Sequence, residues 1–411
     1  MLSAEIIAVG SELLTPVKTD TNSLWLTAKL NDIGIEVKLK TIVGDDAARL
    51  EEVIRDAIKR SDVVITTGGL GPTEDDRTRQ ISAKAISREL VYHDELEAQL
   101  RERFSRWGRG MPEINKRQAY VIDGSTVLPN PNGSAAGMLV KLENKFLVVL
   151  PGPPREMQPM FENYVLEMLH EAAGEIVVKR RLLRVVGMGE SAVDEVIAPI
   201  YTSYPQVETS ILFNKSEIEV HLSARSESEG EAKSVVDEVA TKIVEALGKA
   251  LFAENGEKME EIVGELLRQK GKTLSVAESC TGGLIAKRLT EVPGSSDYFM
   301  EGVVSYSNEA KIRTLNVPRE TIEEFGAVSS QTAEAMAVGM RARAATDYAL
   351  SVTGIAGPGG GSEEKPVGTV FIGLADESGV RSIKIVLPGD RYLIRWRSSQ
   401  AALDYLRRRL L

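Results

Sequence analysis

Apolar residues recur along this chain in two rhythms. Short runs rich in β-branched residues stop at glycine, as in "AEIIAVG" (4–10) and "SDVVITTGG" (61–69). Between and before them, "TNSLWLTAKLNDIG" (21–34) and "ARLEEVIRDAIKRS" (48–61) space apolar side chains at helical intervals, and the first ends on Gly34. The first rhythm predicts buried strands and the second amphipathic helices. Their alternation predicts βαβ units around a largely parallel sheet. A charged helical stretch (80–107) follows, then two strands, 137–142 and 146–150, bracketed by turn-rich loops. This domain is expected to close near residue 170.

Between 171 and 252 the pattern shifts. "EIVVKRRLLRVVGMGES" (175–191) predicts a strand, a glycine turn and a helix over 190–200. "ETSILFNKSEIEVHLSARS" (208–226) predicts a hairpin turning at "FNKS", and "GEAKSVVDEVATKIVEALG" (230–248) a helix closed by Gly248. The turn "GMGE" resembles the glycine loop of a KH domain, but Glu190 stands where an RNA binder needs a cation. A spacer or a dimer contact is the expected role. From 253 to 411 strands and helices alternate again. "TLSVAES", "YFMEGVVSYS", "DYALSVTG", "GTVFIGLADE" and "VRSIKIVLPG" are strand-like, while "KMEEIVGELLRQKG", "SSQTAEAMAVGMRARAA" and "RYLIRWRSSQAALDYLRRRL" are helical. The expected fold class is α/β: two three-layer α/β domains (1–170 and 253–411) joined by a small α+β, KH-like domain (171–252).

Composition narrows the chemistry. A length of 411 residues exceeds one ordinary core. The net charge of −10 argues against broad nucleic-acid binding, which needs clustered cations, but leaves small phosphorylated ligands open. The single cysteine excludes an internal disulfide and a cysteine-based zinc site. No apolar run approaches the roughly 20 residues that span a bilayer, and the amino terminus lacks a basic n-region, so a cytoplasmic location and no membrane partner are expected.

The densest chemistry lies in "LSVAESCTGGLIAKRL" (274–289), where an apolar strand gives way to an amphipathic helix. Glu278, Ser279, Cys280 and Thr281 are therefore expected at a helix mouth, whose free N–H groups favour negative charge. Gly282 and Gly283 let a ligand approach the backbone. Ser279 or Thr281 can equally be a plain N-cap. The three histidines, His93, His170 and His221, all lie outside 253–411, so a serine nucleophile there must use a Lys, Asp or Glu as base. Lys311, in "VVSYSNEAKIRTL", follows a strand among Tyr306, Ser307 and Asn308, and burial can lower a lysine pKa toward neutrality. Cys280 is the rival nucleophile, though it has no imidazole partner. "SVTGIAGPGGGSEEKPVGTV" (351–370) offers backbone N–H groups and Thr353 as an anion cradle, and Arg391 opens a helix after "PGD". Each is also readable as a surface turn.

In the first domain, "VVITTGGLGPTEDDRTRQ" (63–80) carries Gly68, Gly69 and Gly71 followed by Asp75 and Asp76. It is neither a P-loop nor a dinucleotide fingerprint. Glycines suit phosphate, and adjacent carboxylates suit a divalent cation carrying phosphate oxygens. The alternative is that Glu74–Asp76 complements a helix dipole.

"AESCTGG", "GSSDYFMEGVVSYSNEAK", "GAVS", "TGIAGPGGGSEEKPVGTV" and "GDR" resemble the successive motifs of the CinA C-terminal domain, the nicotinamide-nucleotide amidase family. The resemblance implies hydrolysis of nicotinamide mononucleotide to nicotinic acid mononucleotide and ammonia, without a cofactor. It implies Ser279 as nucleophile and Lys311 as base, with Tyr306 and Thr353 also catalytic. Glu278, Thr281, Gly282, Gly283, Ser295, Asn308, Gly354, Gly357 and Arg391 are the implied substrate contacts.

"VGSELL", "DTNS", "VGDD", "TTGGLGPTEDD", "NPNGSAAG" and "PGPPREM" resemble the molybdopterin-binding (MoaB/MogA-like) fold in its CinA branch. That branch implies a metal-dependent ADP-ribose pyrophosphatase yielding AMP and ribose 5-phosphate. By analogy, Asp45, Asp75 and Asp76 would hold a divalent metal ion. Gly10, Glu12, Asn22, Gly68, Gly69, Gly71, Asn132, Ser134, Pro151, Gly152 and Pro153 would line the nucleotide site. The order of the parts resembles full-length CinA and implies a homodimer. Molybdopterin-related binding, or a non-enzymatic scaffold linked to competence or DNA damage, are the competing readings.

Overall fold

In the computed structural model, which describes residues 2–106, 108–174 and 176–411, alternation along the first strands sorts side chains to two faces. The chain divides into two compact units, Met1–Lys179 with Arg225–Ala232, and Arg180–Ala224 with Lys233–Leu411.

The first unit runs β1 (Ser3–Val9), α1 (Asn22–Asp32), β2 (Glu36–Val43), α2 (Ala47–Arg60), β3 (Val63–Thr67), α3 (Thr78–Ala85), β4 (Leu90–Tyr92) and α4 (Asp94–Arg106). It continues with β5 (Tyr120–Ile122), β6 (Thr126–Leu128), β7 (Gly137–Leu142), β8 (Lys145–Leu150), α5 (Pro154–Tyr164) and α6 (Leu166–Ala173). The main sheet has the order β2-β1-β3-β8-β7-β6. Ile6, Ile65 and Val148 face a core completed by Leu26 and Leu30 of α1 and Met157 and Phe161 of α5. Ile7, Val64 and Val149 face the opposite core with Leu50 and Ile54 of α2 and Ile81 of α3. Three layers result. The sheet is largely parallel with one reversed strand: β2, β1, β3 and β8 pair in parallel, while β7 runs antiparallel to both of its neighbours, β8 and β6. The β7–β8 link, Glu143 and Asn144, is too short for a parallel crossover and forces a hairpin. The stretch 80–107 differs from expectation in not being helical throughout, since β4 interrupts it and pairs with β5.

The next elements are β9 (Val177–Val186), α7 (Glu190–Tyr201), β10 (Val207–Asn214), β11 (Glu217–Ser226), α8 (Glu229–Leu247) and β12 (Leu251–Ala253), with sheet order β10-β11-β9-β12. The last region runs α9 (Met259–Lys270), β13 (Leu274–Glu278), α10 (Leu284–Thr290), β14 (Phe299–Val304), α11 (Asn308–Leu315), α12 (Arg319–Phe325) and α13 (Ser330–Ala344). It ends with β15 (Tyr348–Gly354), β16 (Thr369–Asp376), β17 (Gly379–Val386) and α14 (Arg391–Leu410). Its sheet has the order β14-β13-β15-β16-β17. Leu274, Val276, Leu350 and Val352 pack under α9, α10 and α14, and the same core takes in Val186, Phe252 and Ala253 from the small sheet. Ala277 and Ala349 face Met336 and Met340 of α13 on the other side.

Both large sheets end their parallel strands at a common edge. β1, β3 and β8 give out together in one, and β14, β13 and β15 in the other. Open α/β sheets bind ligands outside those carboxyl ends. No helix among the described residues is long and apolar enough to cross a membrane.

Candidate functional site

Ser279 follows β13 directly, and its N–H donates to the Val352 carbonyl of β15 (2.9 Å). Lys311 comes from α11, whose N-cap Ser307 accepts from the Ala310 N–H. The lysine is buried to 1 % exposure, and its Nζ lies 3.0 Å from Ser279 Oγ, 2.9 Å from the Ser305 carbonyl and 3.3 Å from the Tyr306 carbonyl. Among the described residues it has no ion-pair partner, and burial lowers its pKa from the ordinary lysine value. Burial disfavours its charged form, and Nζ has the two carbonyls and the Ser279 hydroxyl within hydrogen-bonding distance.

The neighbouring thiol is different. Cys280 is buried in the core, and desolvation pushes its pKa up to about 12, so at neutral pH it is a protonated packing group. Between the two candidate nucleophiles, the geometry favours Ser279.

The helix mouth also differs from expectation. α10 begins only at Leu284, after Gly282 and Gly283 at φ 60° and 91°, left-handed values that suit glycine. The Glu278 carboxylate turns back and accepts from the Gly283, Ile285 and Ala286 N–H groups at 3.0, 3.1 and 2.8 Å. The anion at this helix end is thus the chain's own side chain. Neither Ser279 nor Thr281 caps the helix, and Glu278 and the Gly283 N–H are committed to the fold. Among the described residues, the Cys280 and Thr281 N–H groups donate to no protein oxygen, and the buried hydroxyls of Thr281 and Ser305 lack a hydrogen-bond partner. These groups have no oxygen partner, and the two N–H groups face the Cys280 sulfur. Ser305 carried no motif signal of its own.

The mouth is closed by a second chain of contacts. Arg391, just after the N-cap Asp390, donates to the Gly357 carbonyl (2.7 Å) and the Tyr306 hydroxyl (2.9 Å). Tyr306 is 61 % exposed, and Asn308 sits exposed at the start of the helix bearing Lys311. Thr353 is buried and donates to the Ala327 carbonyl (2.7 Å), which ties down the "GAVS" loop rather than reaching Ser279. Gly354 ends β15 beside it. Ser295 lies elsewhere, ahead of the amino end of β14, across the sheet from Ser279.

In the first unit, a cleft of about 730 Å³ opens at the carboxyl ends of β1, β3 and β8. Gly10, Glu12, Asn22, Gly68, Gly69, Gly71, Ser134, Pro151, Gly152, Pro153, Asp45, Asp75 and Asp76 all line it. Gly68 permits a close approach, since a Cβ there would sit 2.2 Å from the Val9 carbonyl. Asn22 donates to the Thr67 hydroxyl and the Gly152 carbonyl, and its own carbonyl oxygen is buried without a partner among the described residues. Asn132 is outside the lining: its side chain fastens a turn by donating to the Arg155 carbonyl. The acidic run 74–76 lies just ahead of α3, outside its first turn. Asp76 accepts from the Thr73 N–H and hydroxyl, and Asp45 from the Ser11 N–H. No group of three metal-ligating side chains is found among the described residues. The three aspartates share a cleft but do not form a closed cage.

With the geometry established, comparison with known proteins places the chain. A "CinA-like protein" of Solibacter usitatus is 47 % identical over 409 residues, covering all of this chain and 98 % of the relative. The chain belongs to the CinA family. A "putative competence-damage inducible protein" of Clostridium kluyveri is 43 % identical, with both chains covered completely. Three family models match along this CinA chain. They are the probable molybdopterin binding domain (5–171), the damage-inducible protein CinA KH domain (180–253) and the CinA C-terminal domain (256–410). A solved competence/damage inducible protein from Agrobacterium tumefaciens is 43 % identical over 36 % of this chain and 94 % of its own, with a TM-score of 0.35.

Proposed function

We propose that the C-terminal region of this CinA family member hydrolyses the carboxamide of nicotinamide mononucleotide, with Ser279 as nucleophile and Lys311 as base. The observation that carries this reading is the 3.0 Å approach of a buried, unpaired lysine to a serine hydroxyl. In this mechanism Ser279 Oγ attacks the amide carbon while its proton moves to Lys311 Nζ. The Cys280 and Thr281 N–H groups are the donors we assign to the tetrahedral oxyanion. Lys311 then returns the proton to the departing ammonia, and water cleaves the acyl ester by the same proton route. Arg391 and Tyr306 are the groups we assign to the phosphate end, and Thr353 and Glu278 become positioning residues. The test is ammonia release from nicotinamide mononucleotide by the full chain and by Ser279→Ala. Equal rates would remove Ser279 from the mechanism.

For the first unit the supporting observation is charge. The cleft sets Glu12, Asp20, Asp45, Asp75, Asp76 and Glu156 against a single Lys18, an environment that repels a bare diphosphate. A divalent cation shared with substrate oxygens needs only one or two carboxylates, and Asp75 and Asp45 are the ones we assign to it. When bound, such an ion neutralises a diphosphate and polarises its phosphorus–oxygen bonds. ADP-ribose is the substrate we infer, and the glycines and Asn22 are the groups available to its backbone and sugar. Homodimer formation is part of the same proposal.

A further inference from the structure

The turn that presents Ser279 runs through two glycines in left-handed conformations, and its own bonds across the Thr281–Gly282 peptide are few: the Gly282 N–H donates to the Ser279 carbonyl (3.1 Å), and the Leu284 N–H reaches the Thr281 carbonyl only at 3.4 Å. Arg395 supplies the shorter contact to that carbonyl. One helical turn beyond Arg391 on α14, it aims Nη2 and Nε at the Thr281 carbonyl at 2.6 and 3.2 Å. The guanidinium lies so close to Gly282 that a Cβ there would stand 3.3 Å from it.

The residues next to Arg395 point to what holds it in place. Trp396 has Lys215 Nζ 4.2 Å and the Arg288 guanidinium 4.6 Å from its ring centre. Arg397 donates to the Lys215 carbonyl (3.3 Å) and lies over Phe213. Gln400 donates to Glu217 (3.1 Å) and accepts from Arg288 (2.6 Å). Arg288 belongs to α10 and also binds Glu260 and Ser399 in the buried interior. Phe213, Lys215 and Glu217 form the tip of the β10–β11 hairpin, with Lys215 itself at φ 57°. The hairpin of the small module thus grips the very segment of α14 that grips the nucleophile turn.

We propose that Arg395 is a positioning residue for Ser279 and that the β10–β11 hairpin is its brace, so that the KH-like module serves the hydrolytic site. This rests on the amidase reading for its kinetic arm, but not for its structural one. The variants are Arg395→Ala, Arg395→Lys and Lys215→Gly, the last removing the cation while keeping a residue that tolerates the left-handed turn. Misplacing a reacting group by about 1 Å lowers rates about 100-fold, which is the kcat loss expected for Arg395→Ala, with KM unchanged within about threefold. Arg395→Lys is expected to recover part of it, and Lys215→Gly to lose about tenfold, a smaller displacement of the same kind.

Substrate-free hydrogen exchange supplies the second readout. Amides 279–283 should exchange faster in Arg395→Ala and Lys215→Gly while those of α9 stay as in the wild type. Unchanged exchange at 279–283, or kcat within twofold of wild type in Arg395→Ala, overturns the proposal. A uniform rise in exchange across both segments does too, because it marks a merely structural role. If the wild type releases no ammonia, the amidase reading fails while the exchange comparison still decides the brace. Should Arg395→Ala not fold, Arg395→Lys and Lys215→Gly carry the same two measurements.

Discussion

The C-terminal site and the amino-terminal cleft are both laid where parallel strands give out onto glycines, yet they treat charge in opposite ways. Around Ser279 the chain supplies its own carboxylate and amine: Glu278 closes the helix end, and Lys311 is buried with no counter-ion among the described residues. In the amino-terminal cleft, six carboxylates share the lining with one lysine, and no three metal-ligating side chains cluster among the described residues. Under the proposed functions, the first site needs its groups within hydrogen-bond reach before substrate arrives. The second would receive its cation with the ligand and until then leaves its acids to local ties, Asp76 to Thr73 and Asp45 to Ser11.

The contrast breaks first at the base. Lys311→Met should lower ammonia release by at least ~10³-fold with a near-normal KM, because the nucleophile and its base act as a unit. Retention of a tenth of the rate would show that another group accepts the proton. Chelation comes next. Removing divalent metal should abolish ADP-ribose cleavage and spare the amidase, and Asp75→Asn should cut the former about tenfold. Loss of both activities would erase the distinction between the sites.

The pH dependence sharpens it further. Burial lowers the Lys311 pKa below the ordinary value of about 10.4, so the amidase rate should climb as pH rises through that lowered pKa and fall below it. Between the two values the unfolded chain binds the extra proton, so stability should also rise with pH there and decline as pH drops through the folded pKa. Lys311→Met should flatten this trend in chemical denaturation. Glu278→Gln should cost about 2 kcal/mol in the same measurement, since its carboxylate serves three N–H groups. The smallest effect is expected from Asn132→Ala, which should leave ADP-ribose cleavage within about twofold, as surface changes away from a site usually do.

Strand and helix rhythms made most of the fold legible, because burial on one or both faces writes itself into spacing. They failed where one element hides in a polar stretch, as β4 does within 80–107. The absence of histidine beyond 252 pointed to a lysine base, and Lys311 stood among polar neighbours. Glu278, expected at the helix mouth, turns its carboxylate back across five residues to the Gly283 N–H, a contact that local spacing does not announce. Arg395 and Ser305 were invisible for another reason. Arg395 looks like any polar position on an amphipathic helix, and Ser305 like the frayed end of a strand. Only the folded chain brings α14 against Thr281.

The residue next to Ser279 has a consequence for the cell's harsher moments. A thiol held protonated and out of solvent offers peroxides and alkylating electrophiles almost no reactive form, since they attack the thiolate. If Ser279 and Lys311 are the working groups, as proposed, this pocket should keep turning over under oxidative stress that inactivates cysteine-dependent hydrolases.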